Sequence, residues 1–234
     1  MSAGSGPVGI LGGTFDPVHH GHLRTALELI EACGLDELRL VPAGLPPHRG
    51  RPRASAELRL EMLHRAVAGE PRLRVDEREL RRPGPSYTVD TLGALRAELG
   101  LRPLCLVLGA DAFLGLPAWH RWRELPGLAH LVVVQRPGTV LAPEGELAAL
   151  MAGRRSADRS ALARASAGVL RVQAVTQLDI SASAIRALVA GGGDPRYLVP
   201  EPVRELIMES RCYQATDDPR EVQRSAKQET GITG

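Results

Sequence analysis

Six short apolar runs recur along the chain: Val8 to Leu11, Leu38 to Val41, Leu73 to Val75, Leu104 to Leu108, Leu131 to Val134 and Leu170 to Val175. Each has about the length of a strand, and several are rich in valine. Helical patterns fill the intervals. Leu23, Leu27 and Ile30 recur at i, i+4 and i+7 between the first two runs, and Gly34 follows as a C-terminal stop. A second helix is predicted from about Ser55 to Ala68, where Leu58, Met62 and Leu63 share a face with Ala66, and a third from about Thr88 to Leu99.

Strands alternating with helices predict an α/β fold of one kind, a Rossmann-like doubly wound parallel sheet with helices on both faces, whose ligand crevice lies at the carboxyl ends of the strands. The chain of 234 residues, 44% of them apolar, is long enough for one such domain. We place that domain at residues 8–213, after a flexible N-terminus (1–7) and before a flexible polar tail (214–234). The tail has almost no large apolar residue with which to offset the entropy of ordering it. The stretch from Pro137 to Ala167, Ala- and Arg-rich and weakly patterned, is expected to be a helical excursion.

Charge and cysteine content remove several classes of function. Twenty-nine basic residues against 27 acidic give a net charge of +2, and aromatics make up 3%, so neither a polyanion-binding field nor a set of base-stacking rings is present and nucleic acid is disfavoured as a partner. Lys227 is the sole lysine, which leaves arginine to bind phosphate. Cys33, Cys105 and Cys212 are far apart and form no metal-ligand or redox spacing, and we read them as reduced thiols. No secretory leader pattern and no window of roughly 20 apolar residues is found, so no membrane role is expected and the cytoplasm is the default location.

The chemistry concentrates directly after the first strand, in Gly12-Gly13-Thr14-Phe15-Asp16-Pro17-Val18-His19-His20-Gly21-His22. Gly12 and Gly13 let backbone approach a ligand closely, and Gly21 opens a helix whose N–H groups and dipole attract anions. The glycine spacing is neither GxGxxG nor that of a P-loop. His19 and His22, three apart, can face one ligand and each offer a donor to a phosphate oxygen. Zinc would need three or four ligands, and no matching Cys, Asp or Glu set accompanies them. Near the other end, Asp179-Ile180-Ser181-Ala182-Ser183-Ala184-Ile185-Arg186 places Ser181 as an N-cap, with Ile185, Leu188 and Val189 as the apolar face of the helix it opens. Ser183 and Arg186 in its first turns can close on a phosphate.

These two stretches resemble the HxGH and ISxxxIR motifs of the nucleotidyltransferase superfamily. Three more narrow the likeness: Pro46-Pro47-His48-Arg49; Gly84-Pro85-Ser86-Tyr87-Thr88-Val89-Asp90-Thr91-Leu92; and Leu108-Gly109-Ala110-Asp111 followed by Leu116-Pro117-Ala118-Trp119-His120. Together, from about Val8 through Tyr213, they resemble the bacterial nicotinate-nucleotide adenylyltransferases. The resemblance implies that ATP, carrying its Mg²⁺, and nicotinate mononucleotide are the ligands. The triphosphate would lie over Gly12, Gly13, Thr14, Phe15, His19 and His22, with Ser181, Ser183 and Arg186 on its other side and Gly109 and Asp111 at the ribose. The pyridine ring would stack on Trp119, and main-chain N–H groups near Thr88 and His120 would hold its carboxylate, with Tyr87 beside them. Arg49 would add charge at the acceptor and Arg136 at ATP. His19, His22 and Arg186 are the expected stabilisers of the reacting phosphates. His64, His130 and Trp122 are read as structural, and His20 takes no role. The rival readings are a related transferase acting on nicotinamide mononucleotide or a phosphopantetheine acceptor, and a nucleotide sensor without catalysis.

Overall fold

A computed structural model describes residues 5–44, 51–135, 140–176 and 178–214. The chain runs β1 (Val8–Gly13), α1 (His20–Cys33), β2 (Glu37–Pro42), α2 (Ala56–Val67), β3 (Leu73–Val75), α3 (Arg78–Arg81), α4 (Thr88–Leu99), β4 (Leu104–Gly109) and α5 (Ala110–Leu114). It continues through two 3-10 turns to α6 (Leu125–Leu128), β5 (His130–Gln135), α7 (Gly145–Arg154), α8 (Ala161–Arg164), β6 (Leu170–Ala174), α9 (Ala182–Ala190) and α10 (Glu201–Ser210). The six strands pair in parallel in the order β3-β2-β1-β4-β5-β6. Chain direction across the sheet therefore reverses between β1 and β4, the place where an open parallel sheet leaves a crevice at its carboxyl edge.

Strand residues alternate between two apolar layers. Val8 and Ile10 of β1, Leu104 and Leu106 of β4, and Leu131 and Val133 of β5 pack on one face with α4, Phe113 and Trp122. Cys105, Val107, Val132 and Val134 face the other layer, formed by α1, α2, α9 and α10. Helices thus cover both faces, and the central strands β4 and β5 are buried on both sides, which is why their sequences read as continuous apolar runs.

Local signals mark most element ends. Gly34 ends α1 in the left-handed region (φ 63°, ψ 43°), where glycine carries no Cβ penalty. The Ser55 side chain accepts from Leu58 N at 3.2 Å to cap α2, and Ser181 accepts from Ala184 N at 3.1 Å to cap α9. The region after β5 holds the expected helices, α7 and α8. One detail of α9 differs from the expectation: Ile185 and Val189 are buried, but Leu188 is 39% exposed. It lies along the helix edge, against the turn at Gly193, where an added Cβ would meet its Cδ1 at 2.4 Å. At the N-terminus, Gly6 N donates to Asp36 Oδ2 at 2.7 Å and Arg102 Nε donates to Gly6 O at 2.9 Å, so bonded backbone begins before β1. Residues 215–234 of the tail lie outside the described residues.

Candidate active site

The carboxyl ends of β1 and β4 are glycines, and a Cβ built at Gly12 or Gly109 would meet no protein atom within 4 Å. Both face the open crevice at the reversal point, so a ligand there can approach bare backbone from either strand. Beyond Gly13 the chain turns sharply. Phe15 adopts φ 49° and buries its ring, and the Asp16–Pro17 peptide is cis. The turn delivers His19 to the N-cap of α1.

His19 is 6% exposed and His22 partly exposed, and their rings stack at 3.7 Å between centroids and 27° between planes. The Phe15 ring stands edge-on to His22 at 5.0 Å. Glycine is required at position 21, where a Cβ would lie 3.0 Å from the His19 ring and 3.6 Å from Ile180 O. The glycine thus admits both the imidazole pair and the C-terminal motif to the start of α1. Burial lowers both histidines from 6.5, His19 to about 4 with a smaller contribution from His20, and His22 to about 3 with a smaller contribution from His19. Both imidazoles are therefore neutral at pH 7. The His19 backbone N–H donates to His22 Nδ1 at 3.3 Å, which leaves the proton of His22 on Nε2 as an outward donor. They can offer hydrogen bonds rather than charge.

The N–H groups opening α1 are less available than the sequence suggests. His20 N donates to Leu198 O at 3.0 Å, and His22 N bends back to His19 O at 3.0 Å. Ser181 and Ser183, exposed, bring their hydroxyl oxygens within 3.3 Å of each other at the head of α9. Arg186 reaches across to the first loop, its Nη1 donating to Asp16 O at 2.7 Å. The two phosphate-type motifs, 170 residues apart in sequence at this contact, therefore meet.

On the flank beyond β4, the Asp111 carboxylate is exposed in the first turn of α5 behind Gly109. Tyr87, the residue before α4, and His120 bring their rings to 4.3 Å, tilted by 35°. Trp119 is half-buried against the apolar layer beneath. Thr88 is the first residue of α4, so its N–H belongs to the end of the helix that lacks intrahelical acceptors. The segment preceding it is anchored to β2's end, with Gly44 N donating to Ser86 Oγ at 3.3 Å. Arg49 and Arg136 lie outside the described residues. The structure brings the other sequence-derived candidates to the one carboxyl edge of the sheet.

Two buried groups have no role assigned from the sequence. Asp16 is 4% exposed, and its carboxylate accepts from Arg53 N (2.8 Å), Ala54 N (3.0 Å) and Tyr213 Oη (2.7 Å). Arg59, 2% exposed, donates from Nη1 to Thr14 O at 2.7 Å and Ala43 O at 3.0 Å, holding the ends of β1 and β2 together. A signal for Arg59 exists: it sits at i−3 and i−4 from Met62 and Leu63, on the apolar face of α2. Asp16, before a proline, reads only as a turn residue. His130, read as structural, is fully buried, with Nε2 at 2.9 Å from Ala165 O and Nδ1 accepting from Val169 N at 2.9 Å. Trp122 is buried and His64 exposed.

Fold and site define a nucleotidyltransferase. Residues 10–188 match the cytidylyltransferase-like family. The chain is 55% identical to a protein of Halorhodospira halophila across 88% of this chain and 94% of that one, and 52% identical to one of Pseudomonas putida strain W619 across 89% and 95%. Both carry the name "Probable nicotinate-nucleotide adenylyltransferase". Among solved structures, the nicotinic acid mononucleotide adenylyltransferase of Plasmodium falciparum complexed with NaAD shares the fold at a TM-score of 0.67 and 13% identity, covering 89% of this chain and 97% of that one. The chain belongs to the nicotinate-nucleotide adenylyltransferase family.

Proposed function

We propose that this enzyme transfers the adenylyl group of ATP to nicotinate mononucleotide, forming nicotinate adenine dinucleotide and pyrophosphate, a step of NAD biosynthesis. The observation that carries the reading is the meeting of the HxGH and ISxxxIR stretches at the start of α1, beside two strand ends whose glycines face open space. The relatives' names supply the acceptor.

In this reading a 5′-phosphate oxygen of nicotinate mononucleotide attacks the α-phosphorus of ATP, a new P–O bond forms, and the bond to the β-phosphate breaks with its electron pair leaving on pyrophosphate. The attacking oxygen is already anionic, so no side-chain nucleophile or base is needed. Catalysis rests on alignment and on stabilising the charge that grows on the phosphates. The triphosphate lies over Gly12, Gly13, Thr14, Phe15, His19 and His22, with His22 Nε2–H donating and Arg186, Ser181 and Ser183 closing from α9. Gly109 and Asp111 hold the adenosine ribose, whose two hydroxyls suit a carboxylate acceptor. The pyridine ring lies on Trp119 beside Tyr87 and His120. The Thr88 N–H suits a carboxylate and would face a donor in the amide, which selects acid over amide. Arg49 and Arg136 add positive charge for the acceptor phosphate and for ATP. Among the described residues no group of three His, Cys, Asp or Glu side chains is placed to hold a metal. Mg²⁺ enters with the substrate, as MgATP, held by phosphate oxygens and water.

No helix among the described residues is long and apolar enough to cross a membrane. We place the enzyme in the cytoplasm, where its substrates are held and its unpaired cysteines stay reduced. The deciding experiment compares pyrophosphate release with ATP plus nicotinate mononucleotide against ATP plus nicotinamide mononucleotide. Preference for the acid is expected, and equal rates or preference for the amide would refute the acceptor assignment. His22→Ala should lower turnover by roughly 10²–10³ in a folded protein, and near-normal turnover would remove its phosphate role.

A further inference from the structure

Arg186 is an unusual phosphate ligand in that part of its guanidinium is already spent on the protein. Its Nη1 donates to Asp16 O at 2.7 Å and lies 3.9 Å from Asp16 Oδ2. No other acceptor of Arg186 is found among the described residues, so Nε and Nη2 are left for a ligand. Where those two atoms point is therefore set by where Asp16 is held.

Asp16 is held from three directions. Its Oδ2 takes the Arg53 N–H and its Oδ1 takes both the Ala54 N–H and the Tyr213 hydroxyl, so donors from the segment before α2 and from the turn after α10 fix a carboxylate that is 4% exposed. Tyr213 is fully buried, and its hydroxyl donates to this carboxylate at 2.7 Å. A buried carboxylate held by three donors is fixed in one rotamer. We propose that Tyr213 and Asp16 form a positioning pair, which through the Asp16 main-chain carbonyl sets Arg186 at the angle that meets the ATP phosphates. Neither touches substrate. The pair acts on Arg186, and its existence deepens the assignment of Arg186 as a phosphate ligand, on which it rests.

Tyr213→Phe keeps the ring in its cavity and removes only the hydroxyl. A merely structural role would lower the melting temperature and leave the affinity of the folded protein for ATP unchanged. The proposal expects ATP affinity, read by calorimetry with no acceptor present, to fall roughly fivefold to tenfold, with KM for nicotinate mononucleotide unchanged. The decisive arm repeats the substitution in an Arg186→Ala background, where the loss of ATP affinity should vanish while any loss of melting temperature persists. Wild-type affinity in Tyr213→Phe overturns the pair, and so does an equal loss in both backgrounds. Asp16→Asn, which sets an amide NH2 against the same donors, is the second variant and carries the same two criteria. Because no acceptor enters the measurement, a wrong acceptor would leave the result intact. Unchanged ATP affinity in Arg186→Ala alone would instead remove the phosphate assignment beneath it.

Discussion

The two imidazoles of the first loop are neutral because they are buried, and this fixes how acid acts on the protein. Each has a folded pKa below its unfolded value of 6.5, near 4 for His19 and near 3 for His22. Between those limits the unfolded chain binds more protons, so stability rises with pH through the window and is lost as pH falls from about 6.5 towards 3. By pH 5 each contributes a loss of at most about 2 kcal/mol. His22→Gln should therefore flatten the fall of denaturation midpoint between pH 6.5 and 4, and a slope equal to wild type would show that the ring is not buried as described. In the proposed binding mode ATP brings negative charge to the same rings and opposes the depression, so binding near pH 5 should take up protons, as calorimetry in buffers of different ionisation enthalpy reads directly. These histidines were legible in the sequence because three-residue spacing at a helix start admits few uses. Their neutrality was not, since burial of a loop is a property of what packs over it.

At the level of elements, the strand ends and the helices that tie them behave differently under substitution. Gly12→Ala places a methyl where no protein atom lies within 4 Å. It should leave the melting temperature within a degree or two yet raise KM for ATP severalfold, whereas loss of stability with KM unchanged would mean that the crevice is not where ATP lies. Arg59 works the other way. Arg59→Met keeps an unbranched apolar stem on α2 but strands the carbonyls of Thr14 and Ala43. A destabilisation of about 2–4 kcal/mol by chemical denaturation is expected, and less than 1 kcal/mol would show those carbonyls to be satisfied otherwise. All six strands and the helices α1, α2 and α4 followed from apolar runs, helical spacing and caps such as Ser55 and Gly34. The apolar face of α9 was misread at Leu188, where a helix edge meets a turn that periodicity does not foresee. Arg59 was missed because a charge on an apolar face is read as solvated until its two acceptors are seen.

Across the whole molecule, a second arginine tie lies at the end of the sheet opposite the candidate site. At the amino edge, Arg96 of α4 donates to the carbonyls of Gly100 and Arg102 at 2.7 Å, and to Leu128 and Ser166 at 2.6 and 2.9 Å, drawing together the approaches to β4, β5 and β6. Arg96→Ala should cost about 2–4 kcal/mol of stability while the KM values of both substrates and kcat of the surviving folded protein stay unchanged. A specific fall in kcat would place the two edges in communication. The doubly wound sheet could be expected from the alternation, and the approach of α9 to the first loop from the resemblance, but the joining of Tyr213 to Asp16 could not, because nothing local to either segment announces a partner so far along the chain.

That joining has a temporal side. Tyr213 bonds to Asp16 across 197 residues of sequence. At synthesis rates of about 5–20 residues per second, roughly 10–40 s pass between the emergence of the two. For that interval the nascent chain carries a first loop whose aspartate lacks its last donor, and the carboxylate is fully held only after α10 and the turn behind it have been made.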